Sequence, residues 1–169
     1  EYDFLVTFTT FGIDTGEAIA FYQPARNDVE GIGIPLFDNS DIFGSDGVMR
    51  GFIEMAAASR YELNPLAPDY EDVLTTLAHE TLHAWGIQLQ YDDGTGSPSN
   101  RLLGPSAVHW SFLLDTDASV EYGHQWEDNG DGTFTATDAR RFYSPLDLYV
   151  MGLLAEEEVP DFVLLDSTE

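Results

Sequence analysis

The sequence contains no cysteine and no lysine, and its only basic residues are six arginines. A chain without cysteine forms no disulfide bond, which fits either redox compartment and leaves localisation open. No apolar run reaches the roughly 20 residues that a membrane-spanning helix needs, so this segment contains no such helix. There is no signal peptide to read, and because the first residue is Glu1 rather than Met we expect a mature product or a domain excised from a larger precursor.

Acidic residues dominate the charge, with 31 acids against six bases and a formal net charge of −25. Such a field repels nucleic acid and anionic membranes, which excludes nucleic acid as an expected partner. Cationic partners remain compatible with it. The acids allow a Ca²⁺ site, although a solubilising or salt-adapted surface explains most of them.

The size and patterning predict one α+β domain over residues 1–169, with 43% hydrophobic and 13% aromatic residues to form its core. Within it, residues 1–90 supply a mixed, twisted sheet packed on an active-site helix, and residues 91–169 form a loop-rich C-terminal part. Sheet segments precede the helix, which is the α+β order. The predicted strands are Tyr2–Phe11, Glu17–Gln23, Gly31–Phe37 and Val48–Met55, and the predicted helix is Val73–Leu89.

The run His79-Glu80-Thr81-Leu82-His83 lies inside the predicted helix and indicates a chemistry. Residues four apart on a helix lie on the same face, so His79 and His83 can direct two imidazoles at one metal ion. Glu80 then stands beside that ion. A carboxylate in this place can take a proton from a water whose pKa the metal has lowered, which is the arrangement of a zinc peptidase.

The segment from Thr76 to Gly86 resembles the zincin metallopeptidases. Metzincins continue the motif with Gly and, three residues later, a third His; here Gly86 is in place, but Leu89 occupies the second position. The resemblance implies a zincin-like fold and a zinc-dependent endopeptidase acting on a peptide or protein substrate. Its third metal ligand must come from elsewhere in the chain.

Three residues are candidates for that third ligand. Asp147 is favoured, because Ser144 as N-cap and Pro145 as first helical residue start a helix there, and a downstream Asp with nearby Tyr and Gly is similar to the aspzincin arrangement. Capping of the helix by Asp147 is the alternative. His109 is the second choice, and Glu121, in a gluzincin-like site, is the third.

Tyr149 is the candidate for hydrogen bonding to the oxyanion of the tetrahedral intermediate, the role of a phenol or imidazole in zinc peptidases. This assignment depends on Asp147 as a ligand, and its alternative is an aromatic core contact. His109 could share the oxyanion role if it is not a ligand.

The segment Asp128-Asn129-Gly130-Asp131-Gly132 allows two interpretations. The favoured one is a hairpin turn, followed by a returning strand at Thr133–Thr137. The other is a calcium loop with an EF-hand-like spacing, but a Glu opens it where Asp is expected and no helices flank it. The ligands in that case would be Glu127, Asn129, Asp131 and Asp138. Tyr91–Gly104, rich in Asp, Gly and Ser, is expected to be a surface loop.

The sequence therefore predicts a zinc endopeptidase in which His79, His83 and Asp147, or failing that His109, hold the metal and Glu80 is the general base. We expect a secreted, monomeric domain of a larger precursor, and the lack of disulfides does not count against secretion. The alternative is a catalytically silent binding or adhesion module that keeps the scaffold and its metal site. A purely structural metal site with four protein ligands, using both His109 and Asp147, is a third possibility, and it would leave no position for water.

Overall fold

The computed structural model describes residues 2–16, 18–137 and 141–166. The chain divides into two compact units, one made of Glu1–Glu30 with Ile34–Ala84 and the other of Gly31–Gly33 with Trp85–Glu169. Two predicted features extend outside the described residues: the strand start at Glu17 and the calcium-loop position Asp138.

The first unit contains the mixed sheet that the sequence predicts. Its strands are β1 (Phe4–Thr9), β2 (Phe21–Pro24), β3 (Arg26–Asn27), β4 (Phe37–Asp38) and β5 (Gly51–Ala57). The main sheet has the order β1-β5-β2, in which β1 runs parallel and β2 antiparallel to β5. The central strand β5 is almost entirely buried, as expected for a strand with a neighbour on each side.

Helix α1 (Tyr70–Leu82) packs on this sheet and carries the motif. Val73 contributes to a buried cluster with Ile53 and Met55 of β5, both of which are fully buried, and Leu77 packs against it. Burial of side chains of this size contributes roughly 1.5–3 kcal/mol each, and it fixes which face of α1 points to the sheet.

The helix ends at Leu82, seven residues before the predicted end at Leu89 (89 − 82 = 7). His83 is the C-cap residue and keeps right-handed helical dihedrals, with φ −55° and ψ −18°. Gly86, four residues past Leu82, has φ +50°, a left-handed conformation through which a right-handed helix cannot continue to Leu89. The predicted extension of the helix to Leu89 is therefore wrong, because the hydrophobicity of residues 87–89 does not reveal that the backbone turns before them.

The strand predicted at Gly31–Phe37 is also wrong, apart from its last residue. The buried side chain of Asn27 donates hydrogen bonds to the carbonyls of Val29, Ile34 and Pro35, at 3.3, 3.2 and 3.1 Å. This segment therefore folds around an amide instead of extending beside a strand.

The second unit contains strands β6 (Tyr91–Asp92), β7 (Pro98–Ser99), β8 (Trp110–Asp115), β9 (Tyr122–Asp128) and β10 (Phe134–Thr137). Strands β9 and β10 form the predicted antiparallel hairpin, while β8 runs parallel to β9 in a sheet of order β10-β9-β8. The predicted surface loop at 91–104 contains the two-stranded β6–β7 ladder.

Helix α2 (Pro145–Val150) begins as predicted, with Ser144 as N-cap and Pro145 as the first residue. Strands mixed with few helices are compatible with the α+β class. Among the helices that the structure describes, none is both long and apolar enough to cross a bilayer.

Candidate metal centre

His79 and His83 lie at the C-terminal end of α1, with ring centroids 4.8 Å apart and planes at 82°. His79 is in the last turn, and His83, one residue past the helix, still follows its spiral because it has helical dihedrals. The two imidazoles therefore lie on one face of the first unit, as the spacing predicts.

Glu80 is buried, with only 5% of its surface exposed. Burial raises the pKa of its carboxyl to about 7, against an opposing hydrogen bond from the backbone N–H of Tyr22 on β2. A carboxyl group with a pKa near neutrality is matched to accepting and returning a proton at ordinary pH. The sheet thus provides both an apolar setting and one orienting donor for this side chain.

In the second unit, the parallel pairing of β8 with β9 brings His109 next to Glu121. Trp110 pairs with Tyr122, and the backbone N–H of Trp110 donates to the carbonyl of Glu121 across 2.9 Å. Because the strands are parallel, His109 and Glu121, which directly precede this pair, are also neighbours. His109 Nε2 lies 3.8 Å from Glu121 Oε2.

The hydrogen bond of the other ring nitrogen sets the tautomer of His109. Its Nδ1 lies 2.8 Å from the carbonyl oxygen of Pro105, and since a carbonyl oxygen only accepts, Nδ1 carries the proton. Burial lowers the pKa of His109, although this hydrogen bond raises it. A neutral ring with its lone pair on Nε2 is the form that binds a metal, and a carbonyl partner on Nδ1 is the usual outer support.

The turn before β9 positions Glu121 through a chain of hydrogen bonds. The Thr116 hydroxyl donates to the carbonyl of Tyr122 and accepts from the backbone N–H of Ser119, at 3.0 and 3.1 Å. The Ser119 hydroxyl in turn accepts from the backbone N–H of Glu121 at 2.9 Å. Gly123 has φ +71°, and a Cβ there would lie 2.2 Å from Thr116 Oγ1. Glu121 itself is fully buried.

Four residues offer ligand atoms that all lie within 4.8 Å of one another: His79, His83, His109 and Glu121. This group could hold a metal ion. Imidazole nitrogens with a carboxylate oxygen form a donor set that suits zinc and other divalent transition metals.

Asp147, the favoured third ligand from the sequence, does not belong to this group. Its Oδ1 accepts from the indole N–H of Trp110 and its Oδ2 from the backbone N–H of Ser144, both at 2.7 Å. The Ser144 hydroxyl accepts from the Asp147 N–H, which completes a capping box. Burial raises the pKa of Asp147 despite these hydrogen bonds. The geometry favours the capping alternative for Asp147, whereas His109 is a member of the group that could hold a metal ion.

Tyr149 lies two positions after Asp147 on α2 and is 41% exposed, whereas Asp147 is fully buried. Residues two apart on a helix do not share a face, so the phenol and the carboxylate point in different directions. The oxyanion role of Tyr149, which depended on Asp147 as a ligand, therefore has no support from this geometry. Glu121, the third choice from the sequence, belongs to the group that could hold a metal ion, and no local signal in the sequence links it to His109.

The hairpin at β9–β10 uses the side chains that the calcium-loop interpretation would need. Asp131 accepts from the N–H and hydroxyl of Thr133, and Asn129 bonds with the hydroxyls of Thr133 and Thr135. These contacts are those of a hairpin turn.

Comparisons of the chain with family models, with curated proteins and with solved structures found no match. What the candidate site can do is therefore inferred from its own residues.

Proposed function

We propose that this protein is a zinc-dependent endopeptidase of zincin type, with His79, His83 and His109 as the metal ligands and Glu80 as the general base. One observation carries the proposal. The imidazole nitrogens of the three histidines lie close enough to share one ion, and the buried carboxyl group of Glu80 directly follows one of them, His79, in the sequence. Three protein ligands and one open position are the arrangement of a catalytic zinc site.

The donor set fits zinc on chemical grounds. Neutral imidazole is a good zinc ligand, and the bond from His109 Nδ1 to Pro105 prepares its Nε2 for this purpose. A bound zinc ion would supply Lewis acidity, polarising the scissile carbonyl and making a water a stronger acid. The carboxylate of Glu121 in this group allows other divalent metals as well, and elemental analysis of the purified protein would identify the bound metal.

Glu80 performs the proton transfers in the proposed mechanism. Its carboxylate takes a proton from the attacking water and passes it to the nitrogen of the leaving amine as the peptide bond breaks. Its setting supports this cycle, because burial brings its pKa to about 7 and the N–H of Tyr22 holds its orientation. A fixed carboxylate loses little entropy when it accepts the proton.

The test is Glu80→Gln, assayed on a library of quenched fluorescent peptides. The amide keeps the shape but cannot accept the proton, so we expect a loss of about 10²–10⁴-fold in hydrolysis with metal content unchanged. Glu71→Gln is the matched control, since it makes the same chemical change in the first turn of the same helix. Retained cleavage in Glu80→Gln would refute the base assignment, and cleavage that survives chelation would refute the metal.

A second candidate function is a non-catalytic module with a closed metal site. It is favoured by Glu121, whose carboxylate gives the group a fourth protein donor. Four protein ligands leave no position for water. In that case the protein would bind zinc stoichiometrically and cleave no peptide in the library, and Glu121→Gln would reduce metal affinity without a catalytic readout.

A further inference from the structure

The second unit contains a cavity of about 280 Å³ that the proposed hydrolysis does not use. Two aromatic side chains, a proline and three aspartates form much of its wall: Trp126, Phe162, Pro160, Asp115, Asp117 and Asp161. Pockets for drug-sized ligands measure roughly 300–1,000 Å³. This one has the size for a single side chain.

One of the two aromatic side chains of the wall, Trp126, is held in place by its contacts. Trp126 lies on β9, and its indole N–H donates to the carbonyl of Phe112 across 3.2 Å. Its ring also contacts His124, with centroids 5.5 Å apart. Phe162 is 42% exposed, so part of its ring is accessible. Aromatic faces of this kind attract cations through the negative charge of the ring.

The carboxylates give the cavity a negative charge. Asp115 Oδ1 accepts from the N–H of Asp117, and Asp117 Oδ1 accepts from the side-chain amide of Gln125, at 3.3 and 3.0 Å. These donors are neutral, so they orient the two aspartates without neutralising their charge. No Arg lines the cavity within the part of the chain that the structure describes.

We infer that this cavity binds the guanidinium group of an arginine side chain in a peptide or protein. The guanidinium is planar and weakly hydrated, so it stacks on Trp and Phe rings while its N–H groups donate to several carboxylates. A compact ammonium does this less well. A hydrated divalent cation does not match walls made of tryptophan, phenylalanine and proline, because it requires oxygen ligands on most sides.

The experiment is a calorimetric titration of the full chain with N-acetyl-arginine methylamide. The comparison ligand is the corresponding citrulline compound, which has nearly the same shape but no charge. We expect the citrulline compound to bind at least tenfold more weakly than the arginine compound. N-acetyl-lysine methylamide, which has a compact charge, should have an affinity between these two. Added salt should weaken arginine binding, since part of it is Coulombic.

Variants locate the site. Asp161→Asn should weaken arginine binding at least fivefold, whereas Glu30→Gln, which removes one exposed charge in the other unit, should leave it within twofold. Circular dichroism and thermal unfolding establish that both variants fold. Because the readout is binding, the outcome does not depend on whether the protein hydrolyses peptides.

Three results would overturn the inference. Equal affinity for the arginine and citrulline compounds would show that the positive charge does not contribute to binding. Equal effects of Asp161→Asn and Glu30→Gln would place binding elsewhere. Tighter binding of free arginine than of the blocked compound would show that the ligand is the amino acid rather than a peptide residue.

Discussion

The indole N–H of Trp110 donates to Oδ1 of Asp147 across 2.7 Å, and both residues are fully buried. This bond ties the start of β8 to the first turn of α2. The second oxygen of Asp147 caps the same helix through the N–H of Ser144. Both oxygens of the carboxylate are therefore engaged with donors of its own unit, which is a structural role.

Asp147→Asn tests this role. The substituted amide keeps the shape of the side chain, but its NH₂ group must face one of the two N–H donors, Trp110 or Ser144. Since hydrogen bonds to a charged acceptor contribute about 1.5–3 kcal/mol, we expect the free energy of unfolding in urea to fall by about 2–3 kcal/mol. Metal content should stay unchanged. Loss of the metal without loss of stability would instead restore Asp147 as a ligand.

His109→Ala tests the third metal ligand. Mutation of a residue that only supports a ligand typically costs 10–100-fold in metal affinity, so removal of a ligand should weaken zinc binding by about 100-fold or more. Competition with a chromophoric chelator measures the change.

His124→Ala is the matched control for His109→Ala. Among the four histidines of the chain, His124 is the one outside the candidate group, and it contacts the rings of Phe112 and Trp126 instead. We expect its removal to leave zinc affinity nearly unchanged. Similar losses in both variants would mean that unfolding, rather than ligation, explains the effect.

Local features of the fold and of the site could be predicted from the sequence, because they depend on residues a few positions apart. The spacing of His79 and His83 fixes their shared face within one helical turn. Ser144, Pro145 and the hairpin turn at 128–132 likewise act within a few residues, and the structure contains the predicted helix start and hairpin.

The proximity of His109 to Glu121 could not be predicted from the sequence, because it depends on long-range pairing. His109 and Glu121 are adjacent only because β8 pairs with β9 in parallel, with a turn of six residues between them. Parallel strands usually need a crossover of a dozen or more residues, so a sequence reading does not anticipate this one. The strand expected at 31–37 failed for a related reason, since the amide of Asn27 bonds to carbonyls up to eight residues away.

Gly123→Ala tests whether the turn before β9 is needed for the site. The added Cβ would overlap the side chain of Thr116, whose hydroxyl holds two backbone groups of this turn, and φ at this position is +71°. Gly130→Ala is the control, because Gly130 has φ +76° but open space around its Cβ position.

Both glycine variants place alanine in a left-handed backbone conformation. Only the variant at Gly123 also brings the new Cβ too close to the Thr116 side chain. The control should lose about 1–2 kcal/mol of stability, the cost of a left-handed conformation for alanine. Gly123→Ala should lose more than this and should also bind zinc more weakly, since the turn supports the pairing of β8 with β9 that positions His109. Equal losses in thermal unfolding and unchanged zinc affinity would contradict a positioning role for the turn.

Tyr22→Phe tests how the ionisation of this phenol lowers the stability of the protein at alkaline pH. Burial raises the pKa of the Tyr22 phenol to about 12 from its ordinary value of 10.0. Between these values the unfolded chain releases the proton that the folded chain keeps, so Tyr22 lowers the free energy of unfolding as pH rises through this window. The variant lacks the hydrogen bond from the phenol to the carbonyl of Arg50 and should be about 1 kcal/mol less stable at pH 8. Because it also lacks the ionisable group, this difference should shrink above pH 10 and change sign before pH 12 in urea titrations, since each pKa unit is worth about 1.4 kcal/mol. Parallel stability curves for the two proteins across this range would contradict the assignment.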